Sequence, residues 1–432
     1  MIKHIPYSTR RHESKMEKFA FLFPGQGTQF LQMGKAFYDH YPIARQTFEE
    51  ASDVSGLDLA NLCFSGTVSS LNEFSNMQLA ILTTEVAIFR AYMNDYGVYP
   101  QFAVGHSIGE YAALVSAGAM TFADAITIMM KRGELVSRII QKNMGHMAII
   151  EQASSQMIEA CIKASHAQDS VYISCFNSES QYAISGWNDK LEAVEQLLLD
   201  KEAIVSPLFH SPPIHSPAMN EICMEYLDFM NGFEFYPFRF PVISNYSGAP
   251  FSDPAQIAKT LTYHLISPVL FTSASNLFHK YGVTATIEMS PKLLLSEFIK
   301  EDQPNIKTYC YGLINDKQKL DELFQSDPNF AKDMPNFAGR CLSILVSTEN
   351  KNQNQNEYKE VVKIYEKIKE KYNEQQKNHA GTAADPHAEM LDMLIAALRM
   401  KRLEPKQLKN CVKTLLDETN SFYRFATVYN AL

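Results

Sequence analysis

Residues 105–111, Gly-His-Ser-Ile-Gly-Glu-Tyr, stand between an apolar run ending at Val104 and an apolar, helix-like segment from Ala112 to Met120. Gly-x-Ser-x-Gly between a strand and a helix is the pattern of a nucleophile elbow, whose glycines allow a sharp turn that exposes the serine hydroxyl. The N-terminus of the following helix directs backbone N–H groups at the same point, where they stabilise an oxyanion. The stretch predicts acyl transfer or hydrolysis through an ester of Ser107, with an ordinary strand–helix turn as the alternative.

The flanking segments alternate between strand-like and helix-like patterns, which predicts a parallel sheet with helices on both faces. Residues 19–23, Phe-Ala-Phe-Leu-Phe, form a short apolar run closed by Pro24-Gly25-Gln26-Gly27, which is typical of a buried strand followed by a tight loop. Residues 101–105 are predicted to form a central strand. The predicted helices of this part are 31–50, 77–97, 108–118 and 121–141.

From about residue 144 the pattern changes to short strands with intervening helices. The predicted strands are 147–150, 171–174 and 182–185, and the predicted helices are 154–165 and 188–200. Two βαβ-like units in about 65 residues predict an inserted ferredoxin-like subdomain. The chain is then predicted to return to the larger unit through 215–232, 241–245 and 262–300.

After about residue 330 a third region begins, with polar linkers predicted at 350–357 and 375–384. Interleaved Glu and Lys with apolar residues at helical spacing predict a helix over 357–376, and two amphipathic helices are predicted over 387–401 and 405–417. This region is either a helical appendage or a docking element for a partner. The predicted division of the chain is a leader (1–17), a large α/β subdomain (18–143 and 212–325), a small subdomain (144–211) and a helical extension (330–432).

The composition excludes several classes of protein. The chain has 432 residues, of which 46% are hydrophobic and 20% charged, which is typical of a globular protein of two or three domains. No apolar run reaches the length of a membrane span, and the N-terminus lacks the apolar core of a secretory signal. The seven scattered cysteines lack Cys-x-x-Cys spacing, which predicts no metal site and a reducing, cytoplasmic setting. A net charge of −9 predicts no nucleic-acid partner.

A nucleophilic serine needs a base, and the chain has 12 histidines. Prolines on both sides of His215 stiffen its loop and favour it as the base, while His210 is a rival on chemistry alone. His106 adjoins Ser107, so its side chain diverges around the elbow and is expected to support the loop. Arg132 is a candidate for binding a carboxylate through two parallel hydrogen bonds, and its alternative is a surface arginine paired to Glu134 or to solvent.

Several separated motifs follow one another along the chain. They are Phe-Pro-Gly-Gln-Gly-Thr-Gln at 23–29, Gly-His-Ser-Ile-Gly-Glu at 105–110, Lys-Arg-Gly at 131–133, Asn-Ser at 177–178, Ile-Ser-Gly at 184–186, 211–219, Ser-Asn at 244–245, His264 with Pro-Val at 268–269, and Glu-Met-Ser-Pro at 288–291. In this order they resemble the malonyl-CoA:acyl carrier protein transacylase family, which includes the acyltransferase domains of polyketide synthases. The resemblance covers roughly residues 18–315.

The resemblance implies an α/β-hydrolase-like core and a Ser–His dyad. Ser107 is the implied nucleophile and His215 the implied base, oriented by backbone carbonyls rather than by an aspartate. The backbone N–H groups of Gln26 and Ile108 are the implied oxyanion hole, and Arg132 is the implied clamp on the malonyl carboxylate.

His264 occupies a position where the family carries Gln or His near the base, and together with His106 and Asn177 it is a predicted supporting residue. The implied reaction is ping-pong. Malonyl-CoA acylates Ser107, coenzyme A leaves, and the phosphopantetheine thiol of an acyl carrier protein or polyketide synthase carrier domain takes the malonyl group. No bound cofactor is expected, and the family implies a monomer.

Two observations leave alternatives open. Ile214 stands where malonyl-selective members frequently have Phe, which leaves the selectivity for the α-substituent undecided. An acyl hydrolase that clears stalled chains from carrier proteins is the second hypothesis, and a non-catalytic scaffold is the third. Arg132 favours transfer, because a hydrolase of neutral acyl chains does not need a buried cation. The Glu-Met-Ser-Pro motif and the helical extension favour a polyketide rather than a fatty acid partner.

Overall fold

A computed structural model describes most of the chain. The predicted leader, His210 and most of the predicted linker at 375–384 lie outside the described residues. The described residues are 18–142, 145–208, 211–325, 337–352, 354–377 and 386–419, with 425, 428, 429, 431 and 432.

The described residues contain ten strands and eighteen α-helices. The strands are β1 (Phe19–Phe23), β2 (Phe102–Gly105), β3 (Gly145–Glu151), β4 (Val171–Phe176), β5 (Gln181–Trp187), β6 (Ile204–Leu208), β7 (Val242–Ile243), β8 (Val269–Leu270), β9 (Ala285–Glu288) and β10 (Lys307–Cys310). The helices of the first part are α1 (Lys35–His40), α2 (Pro42–Ser55), α3 (Leu59–Phe64), α4 (Val68–Asn72), α5 (Phe74–Asp95), α6 (Gly109–Ser116), α7 (Phe122–Ile140), α8 (Ser155–Ala164) and α9 (Asn188–Leu199). The later helices are α10 (Asn220–Met230), α11 (Ile257–His264), α12 (Phe271–Tyr281), α13 (Leu295–Asp302), α14 (Ile314–Gln325), α15 (Phe337–Ser347), α16 (Gln355–Lys377), α17 (Pro386–Met400) and α18 (Pro405–Glu418).

The first sheet is parallel and has the strand order β10-β9-β1-β2-β7. The central strand β1 is fully buried at all five residues, as a strand covered by helices on both faces must be. Phe23 at its end pairs in register with Gly105 at the end of β2. The carboxyl ends of these two strands therefore lie side by side, and the loops that leave them meet at one edge of the sheet.

The second sheet has the order β6-β3-β5-β4-β8. Its elements from β3 to β6 follow the order β-α-β-β-α-β with antiparallel pairing, which is the ferredoxin-like arrangement that the sequence predicts. The sequence does not predict β6, in which no residue is fully buried, or the two-residue β8, which pairs in parallel with β4. Strand β8 follows α11, after the chain has left β7 of the first sheet. Its pairing with β4 therefore connects this later part of the chain to the second sheet.

The predicted helix over 31–50 is wrong, because two helices cover this segment. Gly34 has a φ of +78° and lies before α1, and α2 begins at Pro42 after a one-residue break at Tyr41. Proline lacks a backbone N–H and fits the first position of a helix, so Pro42 starts a new helix rather than continuing the old one. The predicted helices of 77–97, 108–118, 121–141, 154–165 and 188–200 correspond to α5, α6, α7, α8 and α9 within a few residues.

Four C-terminal helices, α15 to α18, pack into a bundle with its own apolar core, which includes Leu345, Ile368, Leu394 and Leu415. The predicted helices at 357–376, 387–401 and 405–417 correspond to α16, α17 and α18, and the predicted linker at 350–357 is shorter because α16 begins at Gln355. The sequence did not predict α15. Lys401 donates to the carbonyl oxygens of Leu345 and Thr348, so its ammonium group caps the C-terminus of α15.

None of the described helices combines the length and the apolar character that crossing a bilayer requires.

Glu85, in the middle of α5, is a buried carboxyl group that makes the free energy of unfolding depend on pH. It is buried, and neither carboxyl oxygen has a hydrogen-bond partner among the described residues. Burial raises its pKa well above the ordinary value, and the nearby Glu288 raises it further. A carboxyl whose pKa is raised by folding binds its proton more tightly in the folded state, so stability falls as pH rises above the unfolded-state pKa of about 4.3.

We therefore expect Glu85→Gln, which cannot ionise, to gain stability relative to the unsubstituted protein as pH rises. The difference in the free energy of unfolding should widen by up to about 1.4 kcal/mol per pH unit from about pH 5 towards the folded-state pKa. Urea unfolding followed by circular dichroism at several pH values measures this difference. A difference that stays constant with pH would contradict the prediction.

Candidate active site

The turn between β2 and α6 has the geometry of a nucleophile elbow. Ser107 lies at its tip with a φ of +53°, a conformation that non-glycine residues rarely adopt and that functional sites often retain. A Cβ atom added at Gly109 would lie 1.9 Å from the carbonyl oxygen of Phe23, and one added at Gly105 would lie 2.0 Å from the carbonyl carbon of Gly109. Only glycine fits these two positions, so α6 can begin directly against the end of β1.

Asn245, which lies two residues after the neighbouring strand β7, fixes the elbow. Its side-chain Oδ1 accepts the backbone N–H of Ser107 at 2.8 Å, and its Nδ2 donates to the carbonyl oxygen of Gly105 at 2.6 Å. Its own backbone N–H donates to Glu110 Oε1 at 3.0 Å. The sequence shows Asn245 only as part of the Ser-Asn motif at 244–245 and does not place it beside the serine. That position follows from the pairing of β7 with β2, which only the folded chain reveals.

The hydroxyl of Ser107 lies next to His215. Ser107 Oγ is 2.8 Å from His215 Nε2, and His215 Nδ1 is 2.7 Å from the carbonyl oxygen of His264. A carbonyl oxygen only accepts, so Nδ1 carries the hydrogen and Nε2 is free to accept the serine proton. Among the described residues no carboxylate bonds to Nδ1. The arrangement is a Ser–His dyad whose tautomer is fixed by a backbone carbonyl.

The loop that carries His215 is held in place by the end of α11. His215 has a φ of +61°, and its backbone N–H donates to the carbonyl oxygen of Leu265 at 2.9 Å. Burial lowers the pKa of the imidazole well below its ordinary value, and the neighbouring His264 and Arg132 lower it further. The imidazole is therefore neutral near neutral pH, which is the state a general base needs.

Arg132 is buried in α7, and only 2% of it is exposed. The surface alternative does not describe it, because Glu134 pairs instead with Lys131 and Arg138. The Nη1 atom of Arg132 donates to Gln78 Oε1, and the guanidinium lies over the rings of Phe74 and Tyr111 at 5.8 and 6.0 Å.

Within the described part of the chain Arg132 forms no ion pair, and its Nε has no acceptor. The Nε2 donor of its partner Gln78 is also without an acceptor there. A buried, unpaired cation is costly, and an anion that bound the guanidinium would remove that cost.

The loop after β1 lies against the elbow, as the predicted oxyanion hole requires. A Cβ atom added at Gly25 would lie 3.5 Å from the backbone nitrogen of Ile108. Neither Gln26 nor Ile108 uses its backbone N–H in a hydrogen bond to another described residue. The side chain of Gln26 accepts from Ser211 Oγ at 3.2 Å, which ties this loop to the segment before His215.

The supporting residues lie around the dyad. His106 Nε2 is 2.8 Å from Asn177 Oδ1, so His106 bonds away from the serine and towards the second sheet. The ring of His264 stacks on that of His215 with centroids 4.4 Å apart and planes at 29°. His210, the rival base, lies outside the described residues.

A cavity of about 380 Å³ adjoins the dyad. His215 lines it, together with Tyr172 and Phe176 from β4 and with Ile266 and Pro268 from the segment after α11. Its volume falls in the range of small-molecule sites, and it lies between the elements of the two sheets. Among the described residues no group of three or more His, Cys, Asp or Glu side chains is arranged to hold a metal ion.

A serine at an elbow, a neutral imidazole at its hydroxyl and backbone donors beside it form the arrangement that enzymes acting through a serine ester require. Comparison with known proteins agrees with this class. The chain belongs to the acyl transferase domain family, and the match to this family covers residues 20–319. The match ends before α15, so the C-terminal bundle lies outside it.

The chain is similar to several malonyl transacylases over this same part. It is 34% identical to the malonyl CoA-acyl carrier protein transacylase of Bacillus subtilis (strain 168) over 315 residues, which cover 72% of this chain and 98% of that protein. An acyl carrier protein S-malonyltransferase from Vibrio cholerae has a similar structure, with a TM-score of 0.67, 32% identity and coverage of 70% of this chain and 100% of that one. A malonyl-transacylase solved in complex with its type II polyketide synthase acyl-carrier protein matches with a TM-score of 0.68, 30% identity and coverage of 72% and 100%.

Proposed function

We propose that this protein transfers a malonyl group from malonyl-CoA to the phosphopantetheine thiol of an acyl carrier protein through an ester on Ser107. The family and the malonyl transacylases that resemble the chain support this activity. The single observation that supports a malonyl substrate most strongly is Arg132, because a buried guanidinium without a carboxylate partner suits an acyl group that carries its own carboxylate.

The proposed reaction has two half-reactions. His215 Nε2 takes the proton of Ser107 while Oγ attacks the thioester carbon, and the backbone N–H groups of Gln26 and Ile108 stabilise the oxyanion. The C–S bond breaks, and the proton passes from His215 to the departing thiolate of coenzyme A. The carrier thiol then gives its proton to His215 and attacks the ester, Ser107 regains the proton, and the malonyl thioester leaves on the carrier.

Two finer assignments are part of the proposal. A polyketide synthase carrier is favoured over a fatty acid carrier by the polyketide-like Glu-Met-Ser-Pro motif at 288–291 and by the C-terminal helices outside the family match. The cytoplasm is the proposed compartment, which agrees with seven cysteines that are all free thiols.

We also propose that the catalytic unit consists of residues 18–143 and 212–325 with the insertion 144–211, and that 330–432 form a separate helical unit. The separate apolar core of the C-terminal bundle supports this division.

The test uses the full chain, labelled malonyl-CoA and phosphopantetheinylated carrier proteins of both pathways. Label should appear on the enzyme, move to carrier thiol, and reach a polyketide carrier faster than a fatty acid carrier. Label released mainly as free malonate would support the hydrolase instead, and no label on the enzyme would support a scaffold. Equal loading of methylmalonyl-CoA would show that a site with Ile214 in place of Phe does not select against an α-methyl group.

A further inference from the structure

A second buried acid–base pair lies directly behind the dyad, and the proposed transfer uses neither member as nucleophile or base. Glu110 is fully buried and His264 is 3% exposed, and Glu110 Oε2 lies 2.8 Å from His264 Nδ1. Neither residue is on the surface of the molecule, so their contact is a feature of the core around the site.

The pair touches both halves of the dyad. On the His264 side, the carbonyl oxygen of His264 accepts from His215 Nδ1 and the His264 ring stacks on the His215 ring. On the Glu110 side, Oε1 accepts the backbone N–H of Asn245, whose side chain bonds the elbow at Ser107. A displacement of either member would therefore be transmitted to the serine or to its base.

Burial also determines which protonation state the pair adopts. It raises the pKa of Glu110 to about 8 and lowers that of His264 well below its ordinary value. The other ionisable groups that face the pair from the elements packed against it are His106, Arg132, His215, Tyr111 and Tyr226. Near neutral pH the pair is thus a neutral carboxyl group in contact with a neutral imidazole.

We propose that Glu110 and His264, whose Oε2 and Nδ1 atoms are 2.8 Å apart, act as one positioning unit for the base His215. The proposal rests on the proposed function for its relevance to malonyl transfer. The contact with the Glu110 carboxyl fixes the His264 ring, and the fixed ring holds both the stacked face of His215 and the carbonyl that accepts from its Nδ1. Loss of the Glu110 proton at higher pH places a negative charge near His215, which stabilises the imidazolium that forms as Ser107 reacts.

The test measures the reaction of Ser107 with phenylmethanesulfonyl fluoride, which requires the dyad but no malonyl group. In this reaction Oγ attacks sulfur, fluoride leaves, and the serine proton passes to His215. The rate is measured from pH 6 to pH 9.5 on the full chain and corrected for hydrolysis of the reagent. The variants are Glu110→Gln, which keeps the size and polarity of the side chain but cannot ionise, and His264→Ala. The control is His146→Gln, which disrupts another buried histidine–glutamate pair, formed by His146 of β3 and Glu195 of α9.

We expect His264→Ala to lower the sulfonylation rate at pH 7 by about tenfold or more. The unsubstituted protein should show a second rise of about threefold or more as pH passes through 8, because the new carboxylate stabilises the imidazolium. Glu110→Gln should keep the rate at pH 7 and lose the second rise, and His146→Gln should keep both.

An unchanged rate in His264→Ala, or an unchanged second rise in Glu110→Gln, would overturn the proposal. Either result alone would overturn the proposal, so the test still works if one of the two variants fails to fold. If sulfonylation behaves as expected but malonyl-CoA does not acylate Ser107, the positioning unit stands and the proposed function fails.

Discussion

Replacing His215 with alanine is expected to lower the rate of malonyl loading on Ser107 by about 10⁴-fold or more, as loss of the base does in other serine enzymes that act through an acyl-enzyme. The reason is the 2.8 Å contact between Ser107 Oγ and His215 Nε2, which supplies the only acceptor for the serine proton that the described residues place at the hydroxyl. Stopped-flow or quenched-flow acylation with malonyl-CoA measures the loss directly.

The matched control for this variant is His279→Ala, which removes an exposed histidine of α12 far along the chain from the dyad. Its loading rate should equal that of the unsubstituted protein. A rate within tenfold of the unsubstituted value for His215→Ala would mean that another group takes the proton, and His210 would then be the first residue to substitute.

Replacing Arg132 with alanine is expected to lower kcat/KM for malonyl-CoA by about 10³-fold, or ~4 kcal/mol, the usual cost of removing one partner of a buried charge pair. Loading of acetyl-CoA, which has no distal carboxylate, should change by less than about threefold, because the guanidinium then has no anion to bind. Parallel loading assays with the two thioesters measure the selectivity as a ratio.

Arg138→Ala is the control for the same helix. Arg138 lies six residues further along α7, is exposed, and pairs with Glu134 and Glu225 rather than facing the core. We expect it to leave the malonyl-to-acetyl ratio unchanged. An equal loss of malonyl and acetyl loading in Arg132→Ala would show that Arg132 supports the fold of the site and does not select the carboxylate.

The elbow could be predicted from sequence because its determinants are local. Two glycines, a serine and the change from strand to helix stand within seven residues, and sterics require glycine at 105 and 109. The role of Arg132 is predicted only from the family resemblance. The sequence does not show whether a single arginine in a helix faces the core or the solvent. Its burial is a property of how α5, α6 and α7 pack.

The contacts made by Asn245 and by Glu110 with His264 could not be predicted, because they join segments more than 130 residues apart in the chain. No periodicity or spacing reports such a pairing. The same holds for β8, whose two residues form a strand only because β4 presents a free edge. The missed helix α15 has a different cause, since Phe337–Ser347 is too short and too apolar to distinguish a helix from a buried strand by periodicity.

The central claim is that Ser107 carries the malonyl group between the two thiols. Mass spectrometry of peptides from protein quenched milliseconds after mixing with malonyl-CoA tests it most directly. The account predicts a malonyl ester on the Ser107 peptide that disappears as the same mass increment appears on the phosphopantetheine arm of added carrier protein. Carrier loading that proceeds while the Ser107 peptide stays unmodified, or a malonyl ester on a different residue, would contradict it.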